Sequence, residues 1–218
     1  SIILASAIAE SSLTIDGVRL VIDSGLSRQL RYDPNTQMEG LETTASSLAS
    51  AEQRRGRAGR QCPGSCIRLW SPAEQQRRPQ FHPPELLLAD PQPVLIELAQ
   101  WGAGLGEELP WLDPPPAAAM QEGQRGLQQL GLLEEDGRIS GRGRLISGLS
   151  VHPRIGMLLL EAHERGAPQL GCDLAAILSE RDPFNTRQIG SDLEARLSGI
   201  QRHPSLRVLS QQLSRQLK

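Results

Sequence analysis

The sequence predicts a chain that is α/β at its start and mostly α-helical afterwards: part of a parallel sheet, then a winged-helix domain, then a helical bundle. Three observations carry that reading. Two short apolar runs, Ile2–Ala5 and Val18–Asp23, lack the polar alternation of a strand with one wet face and read as buried strands of a parallel sheet. Further on, Asp136-Gly137 stands between Leu132-Leu133-Glu134 and Arg138-Ile139-Ser140, a strong hairpin signal with helical patterns on either side. From Pro153 onward, apolar residues recur at helix spacing, at Ile155, Leu158, Leu159 and Ala162 and again from Leu170 to Leu178. The expected divisions are residues 1–71, 72–150 and 151–218.

Composition fits a folded chain. With 38% hydrophobic and 22% charged residues over 218 positions, it can bury a core and hold one large or a few small domains. No apolar run approaches the roughly 18 residues that cross a bilayer, so no membrane partner is expected. The opening Ser-Ile-Ile-Leu-Ala has neither an initiator Met nor a basic segment, and reads as the inside of a strand in a fragment rather than as a signal peptide. Cys62, Cys66 and Cys172 are an odd set, with no His at ligand spacing near the first two; zinc is not expected, and a reducing, cytoplasmic setting fits. The net charge of -2 hides an uneven distribution. Gln53 to Arg78 holds seven arginines against Glu74 alone, whereas Glu85 to Asp136 holds ten acids against Arg125. The basic stretches, including Arg138–Arg154 and the acid-free Arg202–Lys218, are the candidates for phosphate contact.

Taken in order, the elements each have a local cause. Ser6–Gly17 is a hydroxyl-rich loop or short helix at the end of a strand, where open α/β sheets place ligands; a plain crossover connection has the same composition. Residues 28–44 alternate polar and apolar around Tyr32-Asp33-Pro34-Asn35-Thr36 and read as a β-hairpin. Pro63-Gly64 is a turn, and Cys66–Trp70 the strand that follows. In Leu86–Trp101 the part after Pro93 has a helical face, and Pro91 and Pro93 limit where it starts. Trp111–Pro116 is an extended, polyproline-like joint, after which Ala117–Leu130 is a helix ended by Gly131, and Gly141–Leu149 is the helix after the wing. His152 and His163 read as structural, because no acid or cysteine is placed to complete a metal site.

The most distinctive stretch is Gln53-Arg54-Arg55-Gly56-Arg57-Ala58-Gly59-Arg60, with four arginines and two glycines in eight residues. Ser50 followed by Gln53 has the S-x-x-Q form of a capping box, which predicts a helix starting at Ser50 that carries Arg57 and Arg60 on one face. Guanidinium groups so spaced can converge on one polyanion, and the glycines let the backbone come close. Arginines alone would also suit a solvated basic helix or a nonspecific nucleic-acid patch.

The ordered pattern Q-R-x-G-R-A-G-R resembles motif VI of superfamily 2 helicases, in the DEAH-box/RHA group. Ile8-Ala9-Glu10-x-Ser12-Leu13-Thr14-Ile15-Asp16-Gly17 is similar to motif V of that group and stands at the expected distance before it. Trp111-Leu112-Asp113-Pro114-Pro115-Pro116, Leu130-Gly131-Leu132-Leu133 and His152-Pro153-Arg154 resemble, in that order, the group's winged-helix and ratchet region, and the likeness weakens after Pro183. One departure stands out: where the family commonly has Thr-Asn-Ile, this chain has Ser6-Ala7-Ile8, which keeps a hydroxyl and loses an amide.

That resemblance implies specific roles. Residues 1–71 would be the C-terminal part of the second RecA-like lobe. Gln53 would position the attacking water or the γ-phosphate, and Arg57 and Arg60 would be arginine fingers, a contribution on the order of a thousandfold or more in rate. Thr14, Asp16 and Gly56 would lie on the nucleotide side. Ser6, Arg31 and Tyr32 would contact nucleic acid, with the hairpin projecting toward the strand. ATP and Mg2+ are the implied cofactors, the metal held by the first RecA-like lobe, since this sequence has neither a G-x-x-x-x-G-K-[ST] loop nor Asp-Glu-x-His. The implied partners are that lobe and single-stranded nucleic acid, RNA by the family's preference, and the 218 residues alone are expected to be inactive. The alternative is a nonenzymatic winged-helix nucleic-acid-binding protein.

Overall fold

The computed structural model describes residues 2–10, 15–33, 38–180, 182–184 and 190–217. It forms two compact units, Ser1–Asp90 and Pro91–Lys218, so residues 72–90 fall in the first and all later helices in the second. The class is as expected, α/β followed by helices.

In the first unit, β1 (Leu20–Asp23) pairs in parallel with β4 (Ser65–Arg68), Leu20 opposite Ser65 and Asp23 opposite Arg68. Between them in sequence, β2 (Leu26–Asp33) and β3 (Met38–Ala45) make an antiparallel hairpin whose register runs from Leu26–Ala45 to Asp33–Met38. Its turn, with Pro34, Asn35 and Thr36, lies outside the described residues. The expected strand at Ile2–Ala5 is not formed. Ile2 is 93% and Leu4 96% exposed, and among the described residues β1 and β4 pair only with each other in their sheet. A strand needs a neighbour to take up its backbone groups, and an apolar run without one stays extended. The following Ala7–Glu10 is a 3-10 helix.

Helix α1 (Leu48–Arg55) corrects a second expectation. Its N-cap is Ser47, whose hydroxyl accepts from Ser50 N, so the helix starts earlier than the Ser50–Gln53 pair predicts and ends before Arg57. The reason is tertiary. Residues 78–90 run back along the unit as a strap, and Pro79 O and Gln80 O accept the otherwise orphaned Leu48 N and Ala49 N at 2.9 and 3.0 Å. The same strap anchors the hairpin. Arg78 Nη1 donates to Gly25 O (2.8 Å) and Ser46 O (2.9 Å) at its base, His82 Nε2 accepts from Ser47 N, and Tyr32 N donates to Leu88 O (2.7 Å). Arg78 also stacks 4.0 Å above the Trp70 ring, beside Gly25, where φ is +72° and a Cβ would strike the indole. The short α2 (Pro72–Arg77) leads into the strap behind a full capping box of Ser71 and Glu74.

The second unit opens with α3 (Gln92–Trp101), ended by Gly102 in the left-handed region, and α4 (Ala117–Gln129). A minimal wing follows. Leu133 and Ile139 bridge, Glu134 N donates to Arg138 O, and Gly137 supplies the positive φ of the tight turn. Helix α5 (Gly141–Ser147) completes the winged helix around Leu95, Leu98, Met120, Leu127, Leu132 and Ile146. Helices α6 (Pro153–Glu164), α7 (Pro168–Ser179) and α9 (Pro204–Gln216) share a core of Leu159, Cys172, Ala175 and Leu213, and α8 (Leu193–Gly199) packs beside α7. Three of these helices carry Pro in their first turn, where its missing N–H costs nothing. Among the described residues no helix is long and apolar enough to cross a membrane.

Leu127 has no exposed surface, so Leu127→Ala should cost about 2–5 kcal/mol in a urea melt, whereas Leu112→Ala, at a position 96% exposed, should stay within about 0.5 kcal/mol. A pH effect follows from Asp182, whose carboxyl is held below its ordinary range by the Arg196 side chain and by Phe184 N. Because its pKa is lower folded than unfolded, the stability it adds is complete above the ordinary carboxylate range and is lost as pH falls through the folded value. Asp182→Asn should therefore flatten the acid limb of a plot of urea midpoint against pH.

Candidate active site

The site is built on the buried face of α1. Ser47, Ser50, Ala51 and Arg54 recur at helical spacing toward β1, and the first three are small enough to let the helix lie close against the strand. Arg54, at the end of that stripe, is 15% exposed and reaches three acceptors. Its Nε and Nη2 meet Glu10 Oε1 at 2.7 and 2.6 Å, and Nη1 meets Asp23 Oδ1 at 2.9 Å and Leu26 O at 3.0 Å. Burial works to lower the Arg54 pKa, but the hydrogen bonds to Asp23 and Glu10 outweigh it and hold the group above its ordinary value. Asp23 Oδ1 also accepts from Gly25 N, so a side chain only 2% exposed ties together β1, the hairpin base and α1.

Beyond Arg55 the chain continues as tight turns, Arg57 N donating to Arg54 O and Ala58 N to Arg55 O, each at 3.1 Å. Arg57 and Arg60 therefore ride on a turned segment fixed to the helix end, not on the helix face that the sequence predicts. Buried Ala58 secures this segment against the turn before β4: a Cβ on Gly64 would lie 1.9 Å from Ala58 O, so only glycine fits there. On the other side, Gln61 clasps the end of the motif V stretch. Its Nε2 donates to Asp16 Oδ1 (2.7 Å) and its Oε1 accepts from Gly17 N (3.1 Å).

These contacts bring Asp16, Arg57 and Arg60 to one shallow hollow, lined also by Ile15, Gly17, Val18 and Gln61. At about 20 Å3 it has room for a water molecule and not for a nucleotide. The remaining sequence-derived residues lie elsewhere. Gln53 and Gly56 are exposed at the end of α1, outside that lining, and Thr14 lies outside the described residues. Ser6 is exposed at the start of the 3-10 helix. Arg31 and Tyr32 are on β2, where Arg31 pairs with Glu42 at 3.3 Å across the hairpin. No group of three or more His, Cys, Asp or Glu among the described residues could hold a metal. Sequence reasoning missed Arg54 and Gln61. The signal for Arg54 was its spacing from Ser50, Ala51 and Ala58; Gln61 left none.

The fold of this chain is found in known proteins. The chain is 38% identical to the ATP-dependent RNA helicase HrpB of Escherichia coli over 99% of its length, and it superposes on a crystal structure described as the E. coli DEAH/RHA helicase HrpB with a TM-score of 0.88 over 98% of the chain. The relatives that the chain matches are DEAH-box RNA helicases, and it is similar to one part of them. It is also 36% identical to E. coli HrpA over 84% of its length and 34% identical to mouse DHX34 over 88%. It spans only a part of these DEAH/RHA relatives, 26% of HrpB, 14% of HrpA and 17% of DHX34. No protein-family model matches it.

Removing one member of a shielded charge cluster strands the others, so Arg54→Ala should cost about 3–5 kcal/mol by urea denaturation. The double variant Arg54→Ala/Asp23→Ala should lose clearly less than the sum of the two single changes, because the stranded carboxylate is then gone.

Proposed function

We propose that the chain is the arginine-finger half of the ATP site, and part of the single-strand channel, of an ATP-dependent RNA helicase. The observation that carries this reading is the meeting of Asp16 with Arg57 and Arg60 at one open hollow, from two motifs far apart in sequence. Bound across that hollow, ATP would supply the phosphoryl group that is transferred to water, with Mg2+ and the triphosphate held by a first RecA-like lobe. Arg57 and Arg60 would present planar, permanently charged donors to the charge that develops on the transferred group. Asp16 would meet the ribose, Gly56 would allow the nucleotide close to the backbone, and Gln53 would orient the attacking water once the opposite lobe closes over the exposed end of α1. Ser6, Arg31 and Tyr32 would hold the nucleic-acid strand.

The alternative of a stand-alone winged-helix binding protein has less support. The likeness to HrpB runs through the motif region and the winged helix alike, over 99% of the chain, and a regulator has no need of arginines gathered beside Asp16. RNA as the substrate rests on the names of the relatives, since phosphate contacts do not distinguish RNA from DNA.

The test is hydrolysis. Residues 1–218 alone should show no ATPase activity, and the full-length polypeptide should hydrolyse ATP faster with single-stranded RNA present; activity in the short chain would overturn the division of labour. In the full-length polypeptide, Arg57→Ala and Arg60→Ala should each lower kcat by on the order of a thousandfold with little change in KM, because the stabilisation grows in the transition state. Arg60→Lys should not restore the rate, since an ammonium lacks the planar fork. Arg55, whose exposed side chain pairs with Glu52 at 2.7 Å, is the control, and Arg55→Ala should leave kcat near wild type. An equal loss at Arg55 would mean a diffuse basic patch.

A further inference from the structure

We infer that Glu10 is a positioning residue that couples the nucleic-acid end of this half-site to its arginine end, acting through Arg54. The inference rests on the helicase reading above. Glu10 closes the 3-10 helix Ala7–Glu10, and Ala9 N donates to Ser6 O at 3.1 Å, so Ser6 and Glu10 belong to one short turn of chain. Glu10 Oε1 accepts both Arg54 Nε and Nη2, and Arg54 O accepts Arg57 N. A displacement at Ser6 thus reaches Arg57 through one turn of helix, one forked ion pair and one backbone hydrogen bond. Glu10 and Arg54 are 16% and 15% exposed, so solvent and salt weaken this pair far less than an exposed one.

The two acids on Arg54 divide the work. Asp23 sits on β1, 2% exposed and also bonded to Gly25 N, and it ties one side of the guanidinium to the sheet. Glu10 sits on the loop that carries Ser6, so it is the member whose contact with Arg54 can differ between the strand-bound and strand-free states. Coupling between two sites requires such a difference.

The experiment uses the full-length polypeptide and single-stranded poly(U) RNA. In Glu10→Ala the RNA-stimulated ATPase rate should fall by a larger factor than the unstimulated rate, with little change in the KM for ATP; Asp23 and Leu26 O stay on Arg54, so the stability loss should be smaller than that of Arg54→Ala. The substitution should cut the RNA-stimulated increase by about fivefold or more. Glu10→Gln keeps an acceptor oxygen, loses the charge and should fall between. Wild-type stimulation in both variants overturns the inference. So does a parallel fall of the stimulated and unstimulated rates, which is what a purely structural contact would give. A wild-type polypeptide whose ATPase ignores RNA would remove the helicase reading itself, a result independent of either variant.

Discussion

A guanidinium moved out of water needs counter-charge and acceptors in fixed places, and Arg54 obtains both from Glu10, Asp23 and Leu26 O. The first unit is arranged around that requirement. Its small sheet contributes Asp23, the motif V segment contributes Glu10, and α1 must lie close enough to β1 for one side chain to reach them, which the small residues Ser47, Ser50 and Ala51 allow. The arginine turn then inherits its position from α1, and Gln61 and Gly64 lock its far side. Arg57 and Arg60, at the hollow, depend for their position on Arg54, which faces inward.

The strap 78–90 meets a different need. A helix start leaves donors without partners, and a hairpin projecting from a two-stranded sheet has little to hold it. Pro79 and Gln80 supply the first, while Arg78, His82 and Leu88 supply the second. Such economy explains why residues 72–90 belong with the unit before them, although their composition marks them as a connection.

Elements whose cause is local were legible in the sequence. Asp136-Gly137 gave the wing, Pro91 and Pro93 limited the start of α3, and the alternation across 28–44 gave the hairpin. What depends on a distant partner was not. Ser46, Ser47 and Ser50 are equally good caps by residue type, and the strap's carbonyls decide among them. Ile2–Ala5 is as apolar as a buried strand, yet apolar character cannot supply a neighbour. Within Gln53–Arg60 residue types alone do not separate the inward arginine from the outward ones, because Asp23 lies 31 positions before Arg54. The placing of Asp16 beside Arg57 and Arg60 was expected through family resemblance, not through periodicity. Gln53, expected with them, lies outside the hollow's lining.

The parallel pair β1–β4 has a colloidal consequence. Leu20 and Ile22 on one strand and Ile67 on the other are 49–61% exposed, as is Leu69 just beyond, and alternate positions along a strand point to the same side. Along β1 the two exposed leucine and isoleucine side chains therefore make a greasy ridge, on a sheet that has two strands among the described residues. Kept as a free polypeptide in concentrated solution, the chain would expose these aliphatic side chains at the sheet that anchors its charge cluster, where they favour self-association that net charge alone does not oppose.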